Sequence, residues 1–291
     1  MNADCEKCLL LQAKKMIAKN HIVDCAAQNI FTLLKSYIDE HRNNSLSTPE
    51  ASCFLYRLLK KESPTNDLYK EEKEAYNNLM LNIEPEIKAN IDQSENPFQT
   101  ALRYALAGNI IDFGPCDSFN VFEALSVAAS QIPEIDHSPI LYDELKKART
   151  VLYLGDNAGE IVLDKLFISE INHPNLYFAT RGDYVINDVT TEDAEKVGMA
   201  KVARVISNGH DAPSTLLDYC SPEFKNVFEK ADIVISKGQG NLEGLINNRN
   251  KKIFFLLIVK CSVIGEIINV RKKNSVAFFN QIALKMKEAE I

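Results

Sequence analysis

Apolar residues in the first half of the chain recur at helical spacing. Leu9, Leu10, Ala13, Met16 and Ile17 fall on one stripe, and Ile30, Phe31, Leu34 and Ile38 on another. Ser47-Thr48-Pro49-Glu50 reads as a helix start, with a hydroxyl cap, a proline where no N–H is missed, and an acid near the positive end of the dipole. It introduces the stripe Phe54, Leu55, Leu58 and Leu59, and Ser63-Pro64-Thr65-Asn66-Asp67 ends it. Asn96-Pro97 and Ser138-Pro139 repeat the cap-then-proline pattern.

After Arg149 the pattern changes. Short apolar runs at 150–154, 175–179, 202–206, 232–235 and 253–259 alternate with amphipathic stretches, and a run at 275–279 predicts an added edge strand. Buried strands separated by helices imply a mostly parallel, Rossmann-like α/β sheet. The expected organisation is therefore a helical domain or cap over 1–148 followed by an α/β domain over 149–291.

The predicted strands end in polar loops. These are Gly155-Asp156-Asn157-Ala158-Gly159-Glu160, Arg181-Gly182-Asp183, Asn208-Gly209-His210-Asp211, Lys237-Gly238-Gln239-Gly240-Asn241 and Lys260-Cys261-Ser262. Each alone reads as a turn. Together they line the crevice at the strands' carboxyl ends, where open α/β sheets bind ligands. Asp156, Asn157, Asp183 and Asp188 are hard oxygen donors without clustered His or Cys, which suits Mg²⁺ or Mn²⁺ more than a closed zinc site. Glycine loops feeding helices offer N–H groups to an anion, and Lys237 and Lys260 add positive charge. A hard cation beside an anion cradle is equipment for phosphate chemistry. Neither G-x-x-x-x-G-K-[ST] nor G-x-G-x-x-G is present, which argues against a P-loop or an ordinary dinucleotide enzyme.

Composition narrows the partners. Of 291 residues, 33 are basic and 40 acidic, a net charge of −7, which argues against a general nucleic-acid or anionic-membrane binder. The longest apolar run, 253–259, is too short to span a bilayer, and the start MNADCEKCLL has no signal core, so the cytoplasm is the expected compartment. Of 11 glycines only Gly108 and Gly114 precede residue 150. Those two bracket Asn109 and Asp112, which either end a helix or lend polar groups to the site.

Leu154-Gly-Asp-Asn-Ala-Gly-Glu160, Ile186-Asn-Asp-Val-Thr190 and Ser236-Lys-Gly-Gln-Gly-Asn241 together resemble the metal-dependent damage-control phosphatase family. Ala107-Gly-Asn-Ile-Ile-Asp112 and the early Cys5-x-x-Cys8 look like its prokaryotic-type branch, and the likeness runs in order over nearly the whole chain. The resemblance implies hydrolysis of small phosphomonoesters, sugar phosphates or damaged phosphometabolites, with Mg²⁺, Mn²⁺, Co²⁺ or Ni²⁺. It places the metal on Asp156, Asn157 and Asp188 and a phosphate-holding lysine on Lys260. Lys237, Gly238 and Asn241 become further ligand contacts, with Asn109, Asp112, Gly159, Glu160 and Asn187 completing the expected substrate site.

Water activated by the metal is favoured as nucleophile over direct attack by Asp156. Alternatives are an S-adenosylmethionine-dependent methyltransferase on a Rossmann-like sheet and a non-enzymatic metabolite-binding protein. Asn187 and Asp188 could instead cap a helix over 191–197, and Glu160 could serve a helix dipole. The seven cysteines read as reduced thiols. Cys5-x-x-Cys8 with His21-x-x-x-Cys25 also has zinc-ligand spacing, although Cys5 and Cys8 sit on one helical stretch. Oligomeric state is left open.

Overall fold

The computed structural model describes residues 1–44, 46–108 and 121–281; the expected contributors Asn109 and Asp112 lie outside the described residues. Helices α1 (Ala3–Lys19), α2 (Asp24–His41), α3 (Thr48–Glu62), α4 (Lys70–Asp92), α5 (Pro97–Ala107) and α6 (Val121–Ser130) come first. Strand β1 (Ile135–Asp136) and helix α7 (Ser138–Leu145) follow. Next come β2 (Val151–Leu154), α8 (Glu160–Ile171), β3 (Leu176–Thr180), α9 (Thr191–Lys196) and β4 (Arg204–Ser207). The chain continues through α10 (Pro222–Lys230), β5 (Ile233–Lys237), α11 (Gly238–Leu245), β6 (Ile253–Ile258), α12 (Ser262–Ile268) and β7 (Ser275–Phe279).

The fold is an N-terminal helical part followed by a mostly parallel α/β sheet. Among the described residues seven strands run in the order β1-β7-β6-β5-β2-β3-β4, with only β6–β7 antiparallel. The expected strand 275–279 forms but is not the edge. Outside it lies β1, unpredicted because two residues carry no periodicity. His137 N–H donates to Ala277 O at 2.8 Å and Glu134 N–H to Ser275 O at 2.9 Å, anchoring β1 at both ends. The strand expected at 202–206 starts at Arg204, since 199–201 winds into a 3₁₀ turn.

Local signals explain the helix starts. Ser47 and Glu50 form a reciprocal capping box, and Asn96 Oδ1 accepts from Gln99 N–H at 3.1 Å. Ser138 is not a cap. It lies inside α7, and Asp136 Oδ1 accepts its N–H at 3.0 Å.

Alternation along the strands sorts the core into two faces. Val151 and Tyr153 of β2, with Phe254 and Leu256 of β6, join Met80, Ile87, Leu102, Leu125, Leu141 and Phe167 from α4–α8. Leu152, Leu154, Phe255 and Leu257 face Phe224, Leu242 and Ile264 from α10–α12 on the other side. One cluster thus runs through residue 148, from α4–α7 into the sheet. Helices α1–α3 have their own cluster, around Leu9, Met16, Leu34 and Leu55, which also takes in Val185 from the loop after β3. Among the described residues no helix is long and apolar enough to cross a membrane.

Phe167 joins the two parts: its ring centroid lies 5.3 Å from Phe98 of α5 and 6.5 Å from Tyr153 of β2. Phe167→Ala is expected to lower stability by about 3–5 kcal/mol in urea denaturation, from lost burial plus the cavity. A loss under about 1 kcal/mol would mean that α5 and the sheet do not share a rigid core.

Candidate active site

Strand order reverses between β2, from which the chain moves outward to β3 and β4, and β5, from which it moves the other way to β6. Such a switch point opens a crevice at the carboxyl ends of the strands. Strand β2 delivers Asp156 and Asn157 to it, and β5 delivers Gly238. Asp188 arrives from the loop after β3, and the backbone fixes it there. Val189 N–H donates to Asp156 O at 2.8 Å, Ala158 N–H to Asn187 O at 2.9 Å, and Asn157 and Asp188 form an isolated antiparallel bridge. Ile186 takes the left-handed φ of +46° that turns this loop. Helix α9 is capped by Thr190, whose N–H and hydroxyl bond Asp193 at 2.9 and 2.8 Å, so the alternative role of Asn187 and Asp188 as caps is filled by others.

Asp156 and Asp188 are both buried, with a cation between them. Arg181 Nε donates to Asp188 Oδ2 at 2.6 Å, and Nη2 lies 3.6 Å from Asp156 Oδ1. Burial, reinforced by Asp188 and Glu160 and opposed by Arg181 and Lys260, pushes the Asp156 carboxyl up to about 7. Burial also raises Asp188 above the usual carboxylate range, against the pull of Arg181. Asn157 Nδ2 donates to Asp156 Oδ2 at 2.7 Å and to Glu160 Oε2 at 2.9 Å. With its two N–H groups committed there, the amide oxygen is its remaining donor atom for a ligand.

Helix α11 starts against the same carboxylate. Gly238 has φ +75°, and a Cβ there would come within 1.9 Å of Asp156 Oδ2. Only glycine lets this helix start approach so closely. Lys260 is exposed past the end of β6, its backbone N–H donating to Gln239 Oε1 at 3.1 Å, and its charge acts on Asp156.

Other expected contacts lie behind this surface. Lys237 is fully buried and donates to Ala105 O at 2.8 Å, to Asp164 Oδ1 at 2.6 Å and to Glu160 Oε1. An ammonium has three N–H donors, so none is left for substrate. Although burial alone would lower it, Asp164 and Glu160 hold Lys237 above the usual lysine range. Glu160 spends its oxygens on Lys237 and Asn157. Asn241 donates to Lys237 O at 2.9 Å and accepts from Arg181 Nη1 and Thr215 Oγ1, each at 2.9 Å. Gly159 N–H is taken by Asn77 Oδ1 at 2.7 Å, and Asn187 is buried beside Asp188. In this structure Lys237, Glu160, Asn241 and Gly159 therefore brace the crevice rather than face it.

Three supporting residues were not singled out by the sequence. Arg181 stood in a loop that reads as a turn. Asp164, with Oδ1 also accepting from the Tyr153 hydroxyl at 2.7 Å, was signalled only by being a lone acid within the apolar stretch 161–168. Asn77 reaches Gly159 from a distant helix.

A second group, Cys53, His210 and Asp211, has ligand atoms within 4.8 Å of one another. Arg57 already grips Asp211, with Nη2 at 2.5 Å from Oδ1 and Nε at 2.8 Å from Oδ2. His210 Nδ1 accepts from Ala212 N–H at 3.3 Å, which leaves the proton on Nε2 and no lone pair there for a cation. Burial, with Asp211 adding, pushes the Cys53 thiol up to about 12. These groups latch α3 to the loop after β4 better than they bind metal. Among the described residues Cys5, Cys8, His21 and Cys25 do not gather into such a group; Cys8 and Cys25 are exposed.

The damage-control phosphatase ARMT1-like domain matches residues 1–276. A damage-control phosphatase of Pyrococcus horikoshii is 29% identical over 289 residues, covering 97% of this chain and 98% of its own. One of Archaeoglobus fulgidus is 30% identical over 285 residues, with 94% and 96% covered. The crystal structure of a DUF89 family protein from Pyrococcus horikoshii superposes with a TM-score of 0.88 at 28% identity, over 96% of this chain and 99% of that one. This chain belongs to the damage-control phosphatase ARMT1-like family.

Proposed function

We propose that this protein is a divalent-metal-dependent phosphatase acting on small phosphomonoesters, either sugar phosphates or damaged phosphometabolites. The observation that carries the reading is the buried Asp156–Asp188 pair, joined by Asn157 and set against the glycine-headed start of α11. The donor set suits a hard cation: two carboxylates and an amide oxygen, with neither sulfur nor imidazole among them. Charge supports it too. Among the described residues Asp156, Glu160, Asp164 and Asp188 pair directly with two cations, Arg181 and Lys237, a deficit that a divalent ion would offset.

Asp156, Asp188 and the Asn157 oxygen are the proposed ligands. A divalent cation held by them supplies Lewis-acid polarisation of the phosphoryl group and lowers the pKa of water. The chain's own groups do the rest. The α11 N–H groups at Gly238–Gly240 and the Lys260 ammonium offer positive potential to the phosphoryl oxygens. Lys237 holds Glu160, and Glu160 holds the Asn157 amide nitrogen, which leaves the amide oxygen as the atom for a ligand. Family membership favours this hydrolase reading over a methyltransferase. The relatives' names support phosphatase chemistry in metabolite repair and leave the substrate to be identified.

Four outcomes test the reading. In a phosphate-release screen over sugar phosphates and nucleotides with Mg²⁺, Mn²⁺, Co²⁺ or Ni²⁺, turnover should require a metal. Asp156→Ala and Asp188→Ala should each reduce kcat on the order of a thousandfold; inactivity of the wild type with every metal would contradict the reading. Gly238→Ala should lower kcat at least about tenfold while the fold persists, since its Cβ displaces the Asp156 carboxylate; unchanged turnover would deny the close approach a role.

The fourth is a pH dependence. The folded-state pKa of Asp156, about 7, exceeds the ordinary 3.8, so the metal-free folded protein binds protons more tightly than the unfolded chain between those values. This contribution to stability is present at acid pH and is lost as pH rises towards 7. A cation competes with the same proton, so apparent Mn²⁺ affinity should rise up to about tenfold per pH unit below 7. Titration at pH 5.5 and 7.5 showing equal affinity would exclude Asp156 as the ligand.

A further inference from the structure

Arg181 is buried, only 3% exposed, and two of its three guanidinium nitrogens are bonded. Nε donates to Asp188 at 2.6 Å and Nη1 to Asn241 at 2.9 Å. The third nitrogen, Nη2, is shielded from solvent and has no hydrogen-bond partner among the described residues; Asp156 Oδ1, at 3.6 Å, is too far to accept. An orphaned, charged N–H₂ group inside a protein is costly and calls for an acceptor. Asp156 Oδ2 is engaged by Asn157, and Oδ1 is a proposed cation ligand, so Asp156 is not a sufficient partner once the site is filled. Gly238 borders the same carboxylate, and a side chain there would strike Asp156 Oδ2.

We propose that Arg181 is a substrate-contacting residue whose Nη2 donates to a non-bridging oxygen of the phosphomonoester, and of the inorganic phosphate released. This rests on the phosphatase reading and deepens it. Arg181 suits the task because its planar fork is fixed on two sides before substrate arrives. The edge that holds Asp188 and Asn241 orients the remaining nitrogen, so little conformational freedom is lost when phosphate binds. The same guanidinium joins the phosphate to a proposed metal ligand, which couples the two binding events through a single rigid group. A lysine could supply the charge but could not make all three bonds in one plane.

The test separates a phosphate contact from a merely structural clamp on Asp188. Binding of radiolabelled inorganic phosphate to the full Mg²⁺-loaded chain is measured by dialysis, and Mn²⁺ binding by electron paramagnetic resonance. In Arg181→Lys, phosphate affinity should fall about 10- to 100-fold while Mn²⁺ affinity changes less than about threefold. KM should rise, and free guanidinium should partly restore phosphate binding to Arg181→Ala. Unchanged phosphate affinity with weakened Mn²⁺ binding would overturn the proposal and leave Arg181 as a clamp. If the variants fail to fold, the wild type still answers: with ¹⁵N-arginine label, phosphate should shift one solvent-protected guanidinium resonance, and no shift overturns the proposal. A wild type that binds no phosphate with any metal, and shows no turnover, would remove the phosphatase reading and this proposal together.

Discussion

Buried carboxylates that must not collapse into one another or into protonated silence are the constraint behind this architecture. Asp156, Glu160, Asp164 and Asp188 all lie within the protein at the end of one sheet. Uncompensated charges there would cost several kcal/mol each. Lys237 meets the constraint from beneath by holding Glu160 and Asp164, and Arg181 meets it from the side by bonding Asp188 and facing Asp156. Neither cation is surplus. Burial nonetheless leaves Asp156 and Asp164 both raised to about 7 and Asp188 raised as well, so the two cations offset the desolvation of these carboxylates only in part.

The helical part serves the same constraint. Asn77 of α4 takes the N–H of Gly159 and donates to Asp193, while Lys73 pairs with Asp193 at 2.7 Å. Lys60 of α3 reaches Asp183 at 2.9 Å, and Arg57 reaches Asp211. Val185 is buried among α1–α3. The loops carrying Asp156 and Asp188 are thus gripped from above by helices and from below by the sheet. This rigidity suits groups whose geometry decides whether a cation and a phosphate can share them.

Much of the fold was legible because burial on both faces leaves an unmistakable record. Strands such as β6 are wholly apolar, and the proline-marked starts of α3 and α5 match their caps. Strand β1 left no trace because two residues have no period and owe their state to pairing with β7. At the site, Asp156, Asn157 and Asp188 could be picked out by residue type, loop position and family likeness. The uses of Lys237 and Asn241 could not. Sequence shows that a lysine follows a strand, not that its ammonium turns inward to three acceptors more than 70 positions away in the chain. Arg181 was hidden for the opposite reason: an arginine before glycine looks like a surface turn until Asp188 and Asn241 are seen around it. The early glycine-poor, late glycine-rich composition now has one sharp instance in Gly238, where a methyl group would strike Asp156.

The most direct test of the central claim is a crystal structure of the full chain soaked with Mn²⁺, read from anomalous scattering. The account predicts a peak about 2.1 Å from Asp156, Asp188 and the Asn157 amide oxygen, beside the start of α11. A peak at Cys53, His210 and Asp211 instead, or none at the switch point at saturating Mn²⁺, would contradict it.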